Sequence, residues 1–209
     1  MKQAVAITPL DQVALAILAG GHGKRMGGPK DRLLARGRPM LHFLLDHLRW
    51  PGPVILVLGH GREPPAGSER VGRIVHDRVP DQGPLRGILT ALEASPCEVT
   101  VVIPVDMPWL EHEHLAFVAT HLLSRSDLVG VLPSRSSAGA ARIESFPSAF
   151  RATAAPLIRS QIDRGDLAIR SLPACHGISI VPAPPTWPAD VWRNLNAPGD
   201  LPDWIQLGM

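Results

Sequence analysis

Between Leu18 and Lys30 the chain reads Leu-Ala-Gly-Gly-His-Gly-Lys-Arg-Met-Gly-Gly-Pro-Lys. Five of the eleven residues from 20 to 30 are glycine, and Lys24, Arg25 and Lys30 fall within seven positions. Glycines let a backbone approach a ligand closely and turn its amides inward. Inward amides beside fixed cations make a cradle for a polyphosphate. The segment is not a P-loop, because Gly23-Lys24 is followed by Arg25 instead of Ser or Thr. Nor is it a dinucleotide fingerprint, because the third residue after Gly23 is Met26. The plain alternative is a glycine loop whose charges face only solvent.

The elements that position this loop follow from the apolar pattern. Val13–Ala19 is a short continuous apolar run ended by glycines, as expected of a buried strand. A helix is predicted over 39–50, with Met40, Phe43, Leu44 and Leu48 on one stripe and Pro39 in its first turn. Pro53–Leu58, Arg73–His76 and Val99–Ile103 read as three further strands, and 84–95 and 111–125 as helices. Alternating strands and helices imply a parallel sheet covered on both faces. Such sheets bind ligands beyond the carboxyl ends of their strands. Three segments that directly follow strands therefore stand out: Gly20 to Lys30, Asp77 to Gly87 and Pro104 to Leu110.

The second half is less periodic. Leu128–Leu132 and Ala141–Phe150 are predicted strands, and 151–164 a helix. Prolines crowd 173–203, which points to an ordered irregular wrap and a short terminal helix. One domain over 1–209 is expected, with a nucleotide-binding half at 12–125 and an acceptor half at 126–209.

Composition removes several functions. Lys and Arg number 21 against 19 Asp and Glu, a net charge of +2, so no broad field attracts nucleic acid. Tyrosine is absent and there are only four Phe and five Trp, too few for many base-stacking platforms. Cys97 and Cys175 form neither a disulfide framework nor a zinc pattern and read as inert thiols. The first residues are too short and broken an apolar run for a secretory signal, and no 18-residue apolar stretch exists. A soluble cytoplasmic protein, with no nucleic-acid or membrane partner, is the expectation. Glu111-His112-Glu113-His114 looks metal-like, but without HExxH spacing it reads as a solvated helix start.

Four segments together carry a family resemblance. Residues 18–30 resemble the signature LAGGxSxRMGxxK of nucleotidyltransferases with a Rossmann-like fold. Gln82-Gly-Pro-Leu-Arg-Gly-Ile88 resembles a GPLxGI segment, and Pro104-Val-Asp-Met-Pro-Trp109 a CDMPF segment. Asn194-Leu-Asn-Ala-Pro-Gly-Asp-Leu201 resembles NxNTPEDL. They occur in the family's order, and the set is most similar to the molybdenum cofactor guanylyltransferases, the MobA-like family. The resemblance implies a three-layer α/β/α fold, its sheet mostly parallel with a small antiparallel extension. It implies transfer of GMP from GTP to molybdenum-bound molybdopterin, with Mg²⁺ as cofactor and molybdoenzyme-maturation proteins as further partners.

By the same resemblance, Lys30 and Arg25 contact phosphate, and Asp106 is catalytic as the Mg²⁺ ligand. Leu18, Ala19, Gly20, Gly21, Asp77, Gly83 and Gly87 bind the nucleotide. Asn194, Asn196 and Glu144 lie on the acceptor side. The sequence departs from the family pattern at Gly23, where Ser is common. It departs again at Leu58-Gly-His60, which lacks an Asn or Ser, and at Ser145–Phe150, which lacks a tyrosine. Cytidylyl transfer to the same cofactor, transfer to another phosphorylated acceptor, and nucleotide binding without turnover are the alternatives. Lys30 and Asp106 argue against the last.

Overall fold

A computed structural model describes residues 9–20, 33–80, 82–137 and 140–208. Gly21, Lys24, Arg25 and Lys30 of the glycine-rich loop lie outside the described residues. The first half contains β1 (Val13–Ala19), β2 (Leu33–Ala35), β3 (Arg38–Pro39), α1 (Met40–Leu48), β4 (Val54–Leu58), β5 (Arg73–His76), α2 (Gly83–Ala94), β6 (Val99–Pro104) and α3 (His112–Leu123). The second half contains β7 (Gly130–Ser137), β8 (Ala140–Ile143), β9 (Ser148–Arg151), α4 (Ala155–Asp163), β10 (Ile178–Pro182) and β11 (Ile205–Leu207).

All seven residues of β1 are buried, which explains why its sequence is apolar without alternation: both faces of a covered parallel strand are core. β1 lies between β4 and β6 and runs parallel to both. The main sheet runs β10-β7-β9-β6-β1-β4-β5, with β8 attached to β7. Only β8 and β9 run against the other strands. β11, β2 and β3 form a separate small antiparallel sheet. α2 packs over β1, β4, β5 and β6, and α3 over β6, β7 and β9. α1 turns Met40, Leu41, Phe43, Leu44 and Leu48 inward, close to the stripe read from the sequence.

The chain moves from β1 outward to β4 and β5, then crosses back to place β6 on the other flank of β1. Strand order therefore reverses between β1 and β6, where an open parallel sheet leaves a crevice at its carboxyl edge. The registers align that edge: Ala19 stands beside Leu58, Leu58 beside His76, and Leu18 beside Pro104.

Several expectations for the second half need correction. The strand begun at Leu128–Leu132 instead runs through Gly130–Ser137, because pairing with β8 carries it past its apolar part. Ala141–Phe150 is two strands with a connection at 144–147. The proline-dense wrap contains β10, a parallel edge strand on β7; an edge tolerates Pro182. The terminal helix is instead a 3₁₀ turn at Pro198–Asp200 followed by β11, which pairs with β2. No local pattern could signal partners so far apart in the chain.

Glu111–His114 does begin α3, yet His114 is only 2% exposed and meets Trp187 edge to face at 4.5 Å. The Glu111 N–H donates to His114 Nδ1 at 2.9 Å, so this histidine caps a helix and fills core. Its pKa is lowered, first by burial, against the opposing pull of Glu113 and Glu111. Cys97 and Cys175 are free and half-buried, and burial pushes the Cys97 thiol up. Among the described residues no helix is long and apolar enough to cross a membrane.

Candidate functional site

A cavity of about 630 Å³ opens at the carboxyl edge where the strand order reverses. Its floor is made by two glycines. A Cβ on Gly59 would stand 2.9 Å from the Gly20 carbonyl oxygen and 3.2 Å from Gly20 Cα. A Cβ on Gly20 would stand 3.1 Å from Gly59 N. The ends of β1 and β4 therefore meet backbone to backbone, an approach that only glycine permits. One wall is the first turn of α2. Gly83 enters that helix with φ +63°, in the left-handed region, and Pro84 follows it. A Cβ on Gly87 would come within 3.2 Å of Leu18 Cδ2, so α2 rests directly on the end of β1.

Two carboxylates stand on either side of β1. Val105 N–H donates to Leu18 carbonyl at 2.9 Å, prolonging the β1–β6 ladder one step and setting Asp106 at its end. Asp106 is 7% exposed. Its carbonyl accepts Leu195 N–H at 3.0 Å, which holds Asn194 and Asn196 alongside. Asp200 Oδ2 accepts the N–H groups of Asn196 and Ala197, each at 2.8 Å, and fixes the turn. On the other flank, Asp77 N–H donates to Leu58 carbonyl at 2.8 Å. Asp77 Oδ1 accepts the Thr90 hydroxyl at 2.7 Å. Burial raises the Asp77 pKa, while the Thr90 hydrogen bond and the charges of Arg86 and His76 pull against that rise.

Two imidazoles lace the loops after β4 and β5 together. His60 Nδ1 lies 3.3 Å from the Asp77 carbonyl, and His76 Nε2 lies 3.0 Å from the Arg62 carbonyl. Since a carbonyl only accepts, each of these ring nitrogens carries the proton in its contact.

Leu18, Ala19, Gly20, Asp77, Gly83, Gly87, Asp106, Asn194 and Asn196 thus border one cavity. Gly21, Arg25 and Lys30 are outside the described residues. Glu144 does not border the cavity; it is 8% exposed and surrounded by arginines. Sequence reading overlooked His60, Arg62, Gln82 and Phe146, which also line the cavity. His60 and Arg62 follow β4 at the same carboxyl edge, so the strand-end rule would have found them. Phe146 had no such signal, because it arrives from the β8–β9 connection.

No three or more of His, Cys, Asp and Glu gather to hold a metal among the described residues. Asp106, with Asn194 and Asn196 lining the same cavity, would offer a sparse set of oxygen donors. That set suits Mg²⁺, which keeps few protein ligands and takes the rest from phosphate and water.

Three comparisons place the chain among known proteins. The family model for the MobA-like NTP transferase domain matches residues 15–194. The chain is 30% identical over 202 residues to the probable molybdenum cofactor guanylyltransferase of Methanothermobacter thermautotrophicus, covering 93% of this chain and 99% of that protein. It is 29% identical over 191 residues to the molybdenum cofactor guanylyltransferase of Cereibacter sphaeroides, covering 88% and 91%. Its fold is similar to that of molybdopterin-guanine dinucleotide biosynthesis protein A from Archaeoglobus fulgidus. That match has a TM-score of 0.71 at 20% identity and covers 90% and 94% of the two chains.

Proposed function

From the premise that this chain is a nucleotidyltransferase that belongs to the MobA-like NTP transferase family, we propose that it transfers GMP from GTP to molybdenum-bound molybdopterin. An oxygen of the acceptor's phosphate attacks the α-phosphorus of GTP. The bond from that phosphorus to the β-phosphate bridge breaks, pyrophosphate leaves, and molybdopterin guanine dinucleotide forms. The reaction belongs in the cytoplasm, with molybdoenzyme-maturation proteins receiving the product.

The observation that carries this reading is the meeting of Gly20, Asp77, Asp106, Asn194 and Asn196 around one crevice at the strand-order reversal. The nucleophile is a phosphate, ionised near neutral pH, so no side chain has to remove its proton. Catalysis then rests on positioning and charge neutralisation. Gly20 and Gly59 bring the strand ends together and would present bare backbone to the nucleotide. Lys30 and Arg25 are assigned the charge on the departing pyrophosphate, Arg25 through its two-pronged guanidinium. Asp106, with Asn194 and Asn196 beside it, would hold Mg²⁺. When bound, that ion offsets negative charge on the phosphates.

A thermal-shift panel of GTP, CTP, UTP and ATP with Mg²⁺ tests the assignment. Ligand at 100 times its Kd stabilises the native state by ~2.7 kcal/mol. For a chain of this size that raises Tm by ~5–11 °C. GTP alone should do so. A larger shift with CTP would replace guanylyl by cytidylyl transfer, and no shift with any of the four would remove the nucleotide reading.

A further inference from the structure

We propose that Arg135, Arg142 and Arg170, gathered around Glu144 at the carboxyl end of β7, form a second anion subsite. It would take a negatively charged group at the far end of the small acceptor whose phosphate reacts in the crevice. This rests on reading the crevice as a nucleotidyl-transfer site. Arg135 Nε donates to Glu144 Oε1 at 2.6 Å. Arg142 Nε lies 3.3 Å from the same oxygen, and Arg170 Nη2 lies 3.7 Å from Oε2. Among the described residues these three arginines share this one carboxylate, which balances a single guanidinium and leaves two positive charges over.

The charge arrangement is costly without a ligand. Arg135 and Arg142 stand directly opposite each other in the β7–β8 pairing, and like charges so placed destabilise a sheet. Glu144 is nine-tenths buried and committed to Arg135, whereas the side chains of Arg142 and Arg170 are half-exposed. The two surplus cations are therefore the ones that an incoming anion can reach.

Register connects the cluster to the crevice. Ala149 of β9 faces both Val101 of β6 and Val131 of β7. β6 and β7 run the same way, so four residues further along each, Arg135 is level with Val105, next to Asp106. β9 separates the two strands where they pair with it and begins only at Ser148, so beyond it the 144–147 connection fills the gap; two strand spacings of ~4.8 Å set β6 and β7 ~10 Å apart. A small molecule spans that distance. Phe146, two residues beyond Glu144, lines the crevice, so the chain that carries the cluster's carboxylate continues into the cavity wall. An acceptor with its phosphate in the crevice and another anionic group over Arg142 and Arg170 would be held at both ends, which fixes its direction before reaction.

Two measurements on the full-length protein test this. In the first, Arg142→Gln/Arg170→Gln is compared with wild type in GTP-dependent transfer to molybdopterin. The acceptor KM should rise at least ~10-fold, with the GTP KM and kcat within ~2-fold and Tm no lower than wild type, since the opposed charges are relieved. An unchanged acceptor KM would make the cluster a structural ion-pair lattice. In the second, inorganic phosphate is titrated into GTP-loaded protein while the arginine Nε–H signals are followed by NMR. The Arg142 and Arg170 signals should shift and saturate in wild type; a flat titration would overturn the subsite. A wild type that fails to transfer, yet shows those saturating shifts, would refute the proposed reaction and leave the anion subsite standing.

Discussion

Gly59→Ala is the sharpest probe of how the crevice is built. The added Cβ would lie 2.9 Å from the Gly20 oxygen and 3.2 Å from the Gly20 α-carbon. Carbon atoms pack best at ~3.5–4.0 Å, so the carbon–carbon approach alone is ~0.3 Å or more too short. Both clashing atoms are backbone, and the neighbouring pair Ala19 and Leu58 is held in the β1–β4 ladder. The strand ends cannot part without straining that ladder, and no side chain can rotate away to relieve it. Overpacking of this kind costs ~1–3 kcal/mol, which lowers Tm by ~4–8 °C at the middle of that range. The same shift moves the floor of the crevice by a few tenths of an ångström. Since ~1 Å of misplacement costs ~10²-fold in rate, a ~3–10-fold loss of turnover is expected. Calorimetry and pyrophosphate-release kinetics read the two effects. Gly199→Ala is the control: nothing lies within 4 Å of its Cβ and its φ is outside the left-handed region, so its Tm should hold or rise slightly. A Gly59→Ala protein with wild-type melting and wild-type turnover would refute the close-approach reasoning.

Three further outcomes are expected. Asp106→Ala should abolish pyrophosphate release while circular dichroism and Tm stay near wild type, because the backbone carbonyl of Asp106, and not its side chain, holds Leu195; retained release would remove its metal role. Thr90→Val removes the 2.7 Å hydrogen bond to Asp77, and losing a bond to a carboxylate costs ~1.5–3 kcal/mol. The Asp77 pKa should rise further, so the deficit is largest at neutral pH and narrows as Asp77 protonates in acid. Urea titrations at pH 7 and pH 4 compare the two, and a deficit equal at both would contradict the argument. His114 has a folded pKa below its ordinary value, so the stability tied to its neutral ring is present above pH ~6.5 and is lost as pH falls through the folded value. Gln at this position can still cap α3, and so His114→Gln should lose less stability than wild type between pH 7.5 and pH 5; parallel losses would exclude His114 as a cause.

Much of the first half was legible because its information is local. The unbroken apolar run of Val13–Ala19 already implies a strand covered on both faces, and the glycines after it imply a backbone approached by a ligand. Asp106 was readable because it follows the apolar run Val99–Ile103, and Asp77 because it follows the short strand Arg73–His76; strand ends share one edge of a parallel sheet. The second half resisted for the opposite reason. β10 is a strand because Gly130–Ser134 lies beside it, and β11 because β2 does. His114 sits in a polar-looking tetrad, yet Trp187, far along the chain, turns it into core.

Local runs of residues dictated the element order of the first half of the chain, the identity of its strand-end residues and, through four ordered motifs, the family. Periodicity, glycine placement and residue type act over a few positions, so they survive without coordinates. The packing of distant segments governed which residues share a space. It brought Asn194 and Asn196 to Asp106 through one backbone hydrogen bond from Leu195, and set Gly20 against Gly59. It also collected Arg135, Arg142 and Arg170 around Glu144 instead of leaving that carboxylate in the crevice. Those meetings depend on strand register and on connections between remote parts of the chain, and neither is written in any short stretch of sequence.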